Sequence, residues 1–347
     1  TGIKHTAERL GETTPDVRVG VRSGDTSPQD RRRLTTSPPD IMITTPESLF
    51  LMLTSQARES LRGVETVIVD EVHAVAGSKR GAHLALTLER LDALLERPAQ
   101  RIGLSATVRP VEEVARFLGG QAPVEIVAPP ANKEWDLKVV VPVEDMTAPN
   151  EYDEDSDEAQ SQSIWPHVEQ SVADLIGQHR STIVFANSRR LAERLTARLN
   201  EIATEQSAQD VESPAEVMAQ SGASAGAETV IAKAHHGSVS KEQRALIEDD
   251  LKRGRLPAVV ATSSLELGID MGAVDLVVQI ESPPSVASAL QRVGRAGHQV
   301  GETSRGVLFP KHRGDLAQTA VAVQRMRTGG IEALRIPANP LDVLAQQ

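Results

Sequence analysis

The chain has 347 residues, with 37 Lys and Arg against 48 Asp and Glu, and its formal net charge is −11. It has no cysteine, which excludes disulfides and thiolate metal sites, and no apolar run is long enough to span a bilayer. The acidic balance argues against nonspecific binding of polyanions over the whole surface, although six of the acids are concentrated in residues 151–158.

The first third of the chain alternates short apolar runs with helical patterns. Strands are predicted over residues 17–21, 40–44, 66–69 and 101–105, and helices over 46–53, 82–95 and 111–118. Thr45, Pro46 and Glu47 form a typical helix start, because proline is favoured in the first turn. Strands separated by helices indicate an α/β fold with a parallel sheet.

A second α/β domain follows a change in composition. Prolines and the acidic run predict a partly disordered connector over residues 131–175. Strands are then predicted over 182–185, 231–235, 258–262, 275–280 and 306–309, with helices over 189–200 and 241–252 and a loop over 207–228. We therefore expect domains at 1–130 and 176–334, with residues 335–347 beginning a further element.

Asp70 and Glu71 directly follow the predicted strand over residues 66–69. Two adjacent carboxylates at the end of a sheet strand suit Mg²⁺ and a polarised water beside a nucleoside triphosphate. In this interpretation Asp70 contacts Mg²⁺ through water, Glu71 is the base, and His73 reports the state of the nucleotide to the rest of the molecule. The alternatives are a solvated turn for the acids and a loop position for the histidine.

Arg292 and Arg295 flank Gly294 after a short helical pattern. A guanidinium fork suits phosphate oxygens, and glycines at 294 and 297 allow a close backbone approach. An arginine delivered across a cleft between two domains would act as an arginine finger, and domain closure would then gate hydrolysis. The alternative is a solvated helix face.

Ser105 and Thr107 place two hydroxyls at the end of another predicted strand. They serve either as a helix cap or as hydrogen-bond partners of the acid pair on a neighbouring strand, and the residues alone leave both interpretations open.

Hydroxyls and backbone amides recur at other strand ends and helix starts, where such groups bind phosphates without lysine. The chain has only four Phe, two Trp and one Tyr, so a bound single strand would be held through its phosphodiester backbone with little sequence preference. The candidate positions are Gly24, Asp25, Thr26, Thr44, Thr45, Pro46, Asn187, Ser188, Arg189, Arg190, His236, Gly237, Thr262 and Ser263.

These motifs fall in the order of the superfamily 2 helicase motifs. The matching runs are DEVH at 70–73, SAT at 105–107, IVFANS at 183–188, ATSSLELGID at 261–270 and QRVGRAGH at 291–298. Together with SGDTSPQDRRR and TTPESLFLML, they resemble most closely the large helicase-related (Lhr) family of bacterial and archaeal DNA helicases.

The resemblance implies two RecA-like domains followed by a winged helix, which residues 335–347 would begin. It also implies ATP and Mg²⁺ as cofactors, 3′-to-5′ translocation on single-stranded DNA, unwinding of duplexes including RNA–DNA hybrids, and a role in DNA repair. By the same resemblance, Ser105 and Thr107 belong to the coupling motif, and Gly268 and Asp270 face the nucleotide. Gln291, Arg292 and Arg295 form the sixth motif. Arg295 is the best finger candidate. Many relatives have a second finger arginine where this chain has the titratable His298, so the resemblance does not carry a two-arginine finger over to this chain.

One helicase motif does not occur in the chain, because no Gly-x-x-x-x-Gly-Lys-Ser/Thr run is present. We expect this phosphate-binding loop upstream of Thr1, so that the chain is a fragment that cannot hydrolyse ATP alone. An RNA helicase of the Ski2-like group and a non-catalytic nucleic-acid-binding module are the alternatives, because backbone contacts discriminate poorly between DNA and RNA. A cytoplasmic, nucleoid-associated protein is expected, and the oligomeric state stays open.

Overall fold

The computed structural model describes residues 2–14, 16–129, 133–146, 163–210, 229–267, 272, 274–297 and 301–347. The chain divides into two compact units, one formed by residues 1–127 with 333–347 and the other by residues 128–332. Both are α/β units in which every strand pairing is parallel, which confirms the predicted fold class.

The secondary-structure elements alternate along both units. In chain order they are α1 (Gly2–Leu10), β1 (Val19–Arg22), α2 (Pro28–Thr36), β2 (Ile41–Thr44), α3 (Pro46–Leu53), β3 (Thr66–Val69), α4 (Val72–Ala76), α5 (Lys79–Asp92), β4 (Gln100–Gly103), α6 (Val111–Gly119), β5 (Trp135–Val139), α7 (Trp165–Gly177), β6 (Thr182–Phe185), α8 (Arg189–Asp210), β7 (Ala232–His235), α9 (Lys241–Lys252), β8 (Ala258–Ala261), β9 (Leu276–Ile280), α10 (Val286–Val293), β10 (Ser304–Phe309), α11 (Arg313–Thr328) and α12 (Leu341–Gln346). Short 3₁₀ helices lie at Gln56–Leu61 and Ser263–Leu265.

The first unit contains two parallel strand pairs, β1 with β2 and β3 with β4. One side of these strands packs on helices through a core that includes Met52, Leu88 and Leu91, each at most 2% exposed. The opposite side carries apolar side chains that are 46–62% exposed, namely those of Val19, Val21, Ile41, Ile43 and Ile68. Parallel sheets usually have both faces covered, so this exposed apolar face is an unusual surface.

The second unit is built on one six-stranded parallel sheet in the order β5-β10-β9-β6-β8-β7. All residues of β6, β8 and β9 are buried, because helices and their apolar side chains cover both faces of the sheet. The chain leaves β6 toward β8 and β7 and later returns to place β9 on the other side of β6. Ligands of open α/β sheets bind outside the carboxyl ends of the strands at such a reversal, so the end of β6 is the expected location of a site.

The domain boundaries differ from the prediction. Within the connector expected over 131–175, Trp135–Val139 is an edge strand paired with β10 and Trp165–Gly177 is a helix whose Val168 and Val172 are buried. The strongly acidic composition around these segments concealed their apolar pattern. The acidic run at 151–158 lies outside the described residues.

The last residues of the chain belong to the first unit. Helix α12 lies on α5, and Gln347 Nε2 donates to Thr87 Oγ1 at 2.9 Å and to the backbone oxygen of His83 at 3.1 Å. That residues 335–347 begin a winged helix stays a prediction.

Candidate functional site

The acid pair of the first unit follows β3 directly. The backbone N–H of Glu71 donates to Asp70 Oδ1 at 2.9 Å, and Glu71 precedes α4 with a left-handed backbone, φ 48°. Backbone pairing on both sides fixes this turn, since Leu104 donates to Val69 at 2.9 Å and Val72 donates to Leu104 at 3.0 Å. A residue other than glycine in this conformation is strained, and such strain is concentrated at functional sites.

His73 connects the acid pair to the Ser105 segment. Its Nδ1 accepts from the backbone N–H of Ala106 at 3.2 Å and lies 3.3 Å from Ser105 Oγ and 3.5 Å from Glu71 Oε2. Because Nδ1 accepts from a backbone N–H, the neutral ring carries its hydrogen on Nε2. Burial lowers the pKa of His73, although the negative charges of Glu71 and Asp70 act to raise it. The lowered pKa favours the neutral ring.

The structure therefore modifies one prediction. The Ser105 hydroxyl meets the acid pair through His73 rather than by a direct hydrogen bond. Thr107 lies two residues further on and is exposed. Its coupling role stays a prediction.

In the first unit, the residues predicted to bind a nucleic-acid strand lie together where β1 and β2 end. In the turn after β1, Thr26 Oγ1 accepts from the backbone N–H of Ser23 at 2.8 Å. In the turn after β2, Thr45 Oγ1 accepts from the backbone N–H of Ser48 at 3.3 Å. The two turns are neighbours because Arg22 pairs with Thr44, whose hydroxyl donates to the Arg22 oxygen at 2.9 Å. Gly24 and Asp25 are exposed in the first turn, and Pro46 begins the helix after the second.

Two arginines at this edge were not among the predicted site residues. Arg31 Nη2 donates to the backbone oxygens of Gly24 at 2.7 Å and of Ser23 at 3.2 Å. Within the described part of the chain, Arg22 Nη1 and Arg31 Nε are buried atoms without a hydrogen-bond partner. Burial and the charge of Arg31 lower the pKa of Arg22. The available signal was an arginine at the end of a strand, directly before the turn.

In the second unit, Arg292 is an interior residue that is 3% exposed. Its Nε donates to Glu266 Oε2 at 3.0 Å, and its Nη1 donates to Asn187 Oδ1 at 3.0 Å and to Gln279 Oε1 at 2.9 Å. Its guanidinium carbon also lies 5.3 Å from the centre of the Phe185 ring. The predicted catalytic role of Arg292 does not fit this position, because the side chain faces the sheet rather than solvent.

Arg295 is partly exposed beyond the end of α10, as is Gln291 within it. Arg295 Nη2 donates to the backbone oxygen of Glu266 at 2.6 Å. Lys133 Nζ donates to the backbone oxygen of Gly294 at 3.2 Å, and burial together with the charge of Arg295 lowers the pKa of Lys133. The predicted nucleotide-facing Gly268 and Asp270, and also His298, lie outside the described residues.

The other predicted strand-binding residues of the second unit follow β6, β7 and β8. Asn187 Nδ2 donates to the backbone oxygen of Ser282 at 2.8 Å, and Ser188 Oγ accepts from the backbone N–H of Leu191 at 3.2 Å at the start of α8. Arg189 bonds to the hydroxyl of Ser238. The remaining exposed or partly exposed positions are Arg190, Gly237, Thr262 and Ser263. The parallel sheet therefore gathers these groups along one edge.

His236 differs from this group because its side chain is 6% exposed. Its Nε2 lies 2.5 Å from Glu193 Oε1, and its Nδ1 accepts from the backbone N–H of Ser238 at 3.3 Å. The ring thus fixes the loop after β7 to α8 and does not face solvent. The predicted contact of His236 with nucleic acid does not fit this buried position.

The preceding His235 is fully buried and was not predicted as part of a site. Its Nδ1 lies 2.8 Å from Ser264 Oγ, and its Nε2 lies 3.0 Å from Glu248 Oε1. The serine, histidine and glutamate are joined in the manner of a hydrolytic triad, but the ring has no exposed surface. It connects β7 and α9 to the 3₁₀ helix that contains Ser264.

Comparisons with known proteins agree with this geometry. The family model described as DEAD/DEAH box helicase matches residues 2–115, and that described as helicase conserved C-terminal domain matches residues 168–299. The Lhr helicase/probable uracil glycosylase of Mycolicibacterium smegmatis is 67% identical over all of this chain, and the Lhr helicase/uracil glycosylase of Escherichia coli is 58% identical over all of it. The chain belongs to the Lhr family of helicases.

The chain spans 23% of the length of each of these two Lhr proteins. The solved structure of Mycobacterium smegmatis helicase Lhr bound to ssDNA and AMP-PNP matches 99% of this chain and 41% of that one, at 67% identity and a TM-score of 0.84. The DNA-bound helicase MrfA, at 21% identity and a TM-score of 0.72, shows the same fold. The two RecA-like domains implied by the Lhr resemblance are thereby confirmed.

Proposed function

We propose that this chain is the motor core of an ATP-dependent translocase and helicase that acts on single-stranded DNA. The observation that carries the proposal is the contact of the strained acid pair with the Ser105 segment through His73. A protein that only binds nucleic acid has no use for this arrangement. The Lhr relative solved with ssDNA and AMP-PNP supports the same ligands for this chain.

In the proposed mechanism, Glu71 accepts a proton from the attacking water, and the turn held by Val69, Val72 and Leu104 fixes its carboxylate. Asp70 and Glu71 are the residues that would hold Mg²⁺ beside the nucleotide phosphates, Asp70 through water. Bound Mg²⁺ would neutralise charge on those phosphates. Within the described residues no cluster of three or more metal-binding side chains exists, so the nucleotide would provide the other ligands. Arg295 would stabilise the charge that develops in the transition state.

The exposed turns after β1, β2, β6, β7 and β8 would hold the strand through its phosphates. Few aromatic residues are available for stacking, so little sequence preference is expected. Translocation in the 3′-to-5′ direction, unwinding of DNA and RNA–DNA duplexes, and a role in DNA repair complete the proposal on the basis of membership in the Lhr family. Among the described residues no helix could cross a membrane.

The test is ATP hydrolysis by the whole protein, measured with and without single-stranded DNA. Glu71→Gln should abolish the stimulated rate and Arg295→Ala should lower it about 10³-fold, while the affinity for a labelled single-stranded DNA survives in both. Glu59→Gln, an exposed acid of the same unit, is the control and should leave the rate unchanged. A wild-type protein that hydrolyses no ATP would show that the nucleotide site is vestigial, whereas variants with the wild-type rate would show that Glu71 and Arg295 do not act in hydrolysis.

A further inference from the structure

Glu266 contacts both arginines of the sixth motif, through different atoms. Its carboxylate accepts from Arg292 Nε at 3.0 Å, and its backbone oxygen accepts from Arg295 Nη2 at 2.6 Å. The Glu266 side chain is 14% exposed and that of Arg292 is 3% exposed. The position of Glu266 therefore bears on both arginines.

The same contacts extend to the predicted strand-binding edge. Asn187 follows β6 and accepts from Arg292 Nη1 at 3.0 Å through its side-chain oxygen. Its amide nitrogen donates to Ser282 at 2.8 Å, which fixes the direction of that oxygen. Three consecutive hydrogen bonds therefore lead from Asn187 through Arg292 and Glu266 to Arg295, all within the second unit.

We propose that Glu266 is a positioning residue, which holds Arg295 in its working direction and links it through Arg292 to the strand-binding Asn187. This inference rests on the proposed function. The arginine that acts on the nucleotide would then be placed by a chain of contacts that begins where the nucleic acid binds.

The physical basis is preorganisation. Arginine has a long, flexible side chain, and a fixed acceptor limits the directions that its guanidinium takes. The acceptor here is a backbone oxygen, whose position depends on what holds residue 266. The buried Leu265 holds the segment from one side, and the carboxylate of Glu266 holds it from the other through the rigid, buried Arg292. The carboxylate also offsets the repulsion between two guanidiniums that are three residues apart.

A purely structural role for Glu266 is the competing explanation. A buried guanidinium needs a counter-charge, and removing one partner of such a pair is destabilising wherever the pair lies. The first unit offers a comparable pair, in which Arg101 Nη2 donates to Asp92 Oδ2 at 2.6 Å with side chains 9% and 17% exposed, while Arg101 Nη1 donates to the exposed Glu89 at 2.9 Å. Asp92→Asn disturbs a buried pair of similar burial that is not part of the proposed machinery.

The experiment measures kcat and KM for ATP with saturating single-stranded DNA, strand affinity, and the melting temperature of the whole protein. Glu266→Gln should lower kcat about 10-fold or more with little change in KM or strand affinity. Glu266→Asp, which keeps the charge, should recover part of the loss. In the Arg295→Ala background, Glu266→Gln should cause no further loss, because it acts through that arginine. Asp92→Asn should lower the melting temperature without this loss of kcat.

A second variant separates a loss of kcat from a loss of folding. Glu266→Leu combined with Arg292→Met replaces both buried charges by apolar side chains, and it should fold while kcat stays low. Recovery of the wild-type kcat in this double variant would overturn the inference, as would full additivity of Glu266→Gln with Arg295→Ala. Those outcomes leave the proposed function intact, whereas a wild-type protein without DNA-stimulated hydrolysis overturns the proposed function itself.

Discussion

Arg292 and Arg295 are three residues apart, yet the structure gives them opposite environments. Arg292 is enclosed by Glu266, Asn187 and Gln279, whereas Arg295 is partly exposed. Arg292→Ala should therefore lower the free energy of unfolding by about 3–5 kcal/mol, because Glu266 loses its counter-charge. Arg295→Ala should change it by no more than about 0.5 kcal/mol and act on the rate of hydrolysis instead. Urea unfolding of both variants beside ATPase assays checks this, and equal loss of stability in the two would contradict it.

His73 gives the proposed coupling a dependence on pH. Its Nδ1 accepts from the Ala106 N–H only when the ring is neutral, and burial lowers its pKa below the ordinary value of 6.5. Below pH 6.5 the unfolded chain binds this proton more readily, so the contribution of His73 to stability is full above 6.5 and declines as the pH falls. We expect DNA-stimulated hydrolysis to decline over the same acidic range.

The matching variant is His73→Asn, whose amide oxygen can accept from Ala106 and does not titrate. It should remove this acidic decline from the pH profile, whereas His179→Asn in the second unit should leave the profile as in the wild type. An unchanged profile in His73→Asn would show that another group causes the decline.

At the scale of elements, the close approach of α4 and α5 depends on a glycine. A Cβ added to Gly81 would lie 2.2 Å from the backbone oxygen of Val75, which cannot move without shifting the helix that begins after Glu71. Gly81→Ala should therefore lower the free energy of unfolding by about 1–3 kcal/mol and reduce ATP hydrolysis. The control is Gly63→Ala, where a Cβ would have no neighbour within 4 Å. Thermal melts of the two variants test this, and equal melting temperatures would refute it.

The elements also show which features the sequence could predict. The strand before the acid pair, the helix beginning at Pro46 and the order of the motifs were predictable, because β-branched runs and capping residues act locally. The direction of Arg292 was not, since it depends on how α10 is rotated against the sheet. Edge strand β5 and helix α7 were also missed, because the acidic composition around them concealed their apolar pattern and they pack on the rest of the second unit.

The two units of this acidic chain differ in how their sheets are covered. Helices cover both faces of the six-stranded sheet in the second unit, whereas the first unit has an uncovered apolar face. Val21 and Ile43 are paired neighbours on that face, 57% and 55% exposed. A contiguous apolar face of this kind is an association surface, and isolated exposed apolar residues are not. The face should therefore bind an apolar dye such as ANS when this chain is produced alone.

Replacing both residues, as Val21→Thr with Ile43→Thr, should lower ANS fluorescence and aggregation of the isolated chain. Threonine keeps the β-branched shape that suits a strand, so the melting temperature should change little. Val321→Thr, an exposed valine on a helix of the second unit at 52% exposure, is the control and should leave the dye signal unchanged. If the double variant binds as much dye as the wild type, the apolar face of the first unit is covered in solution, since only an accessible face can contribute to that signal.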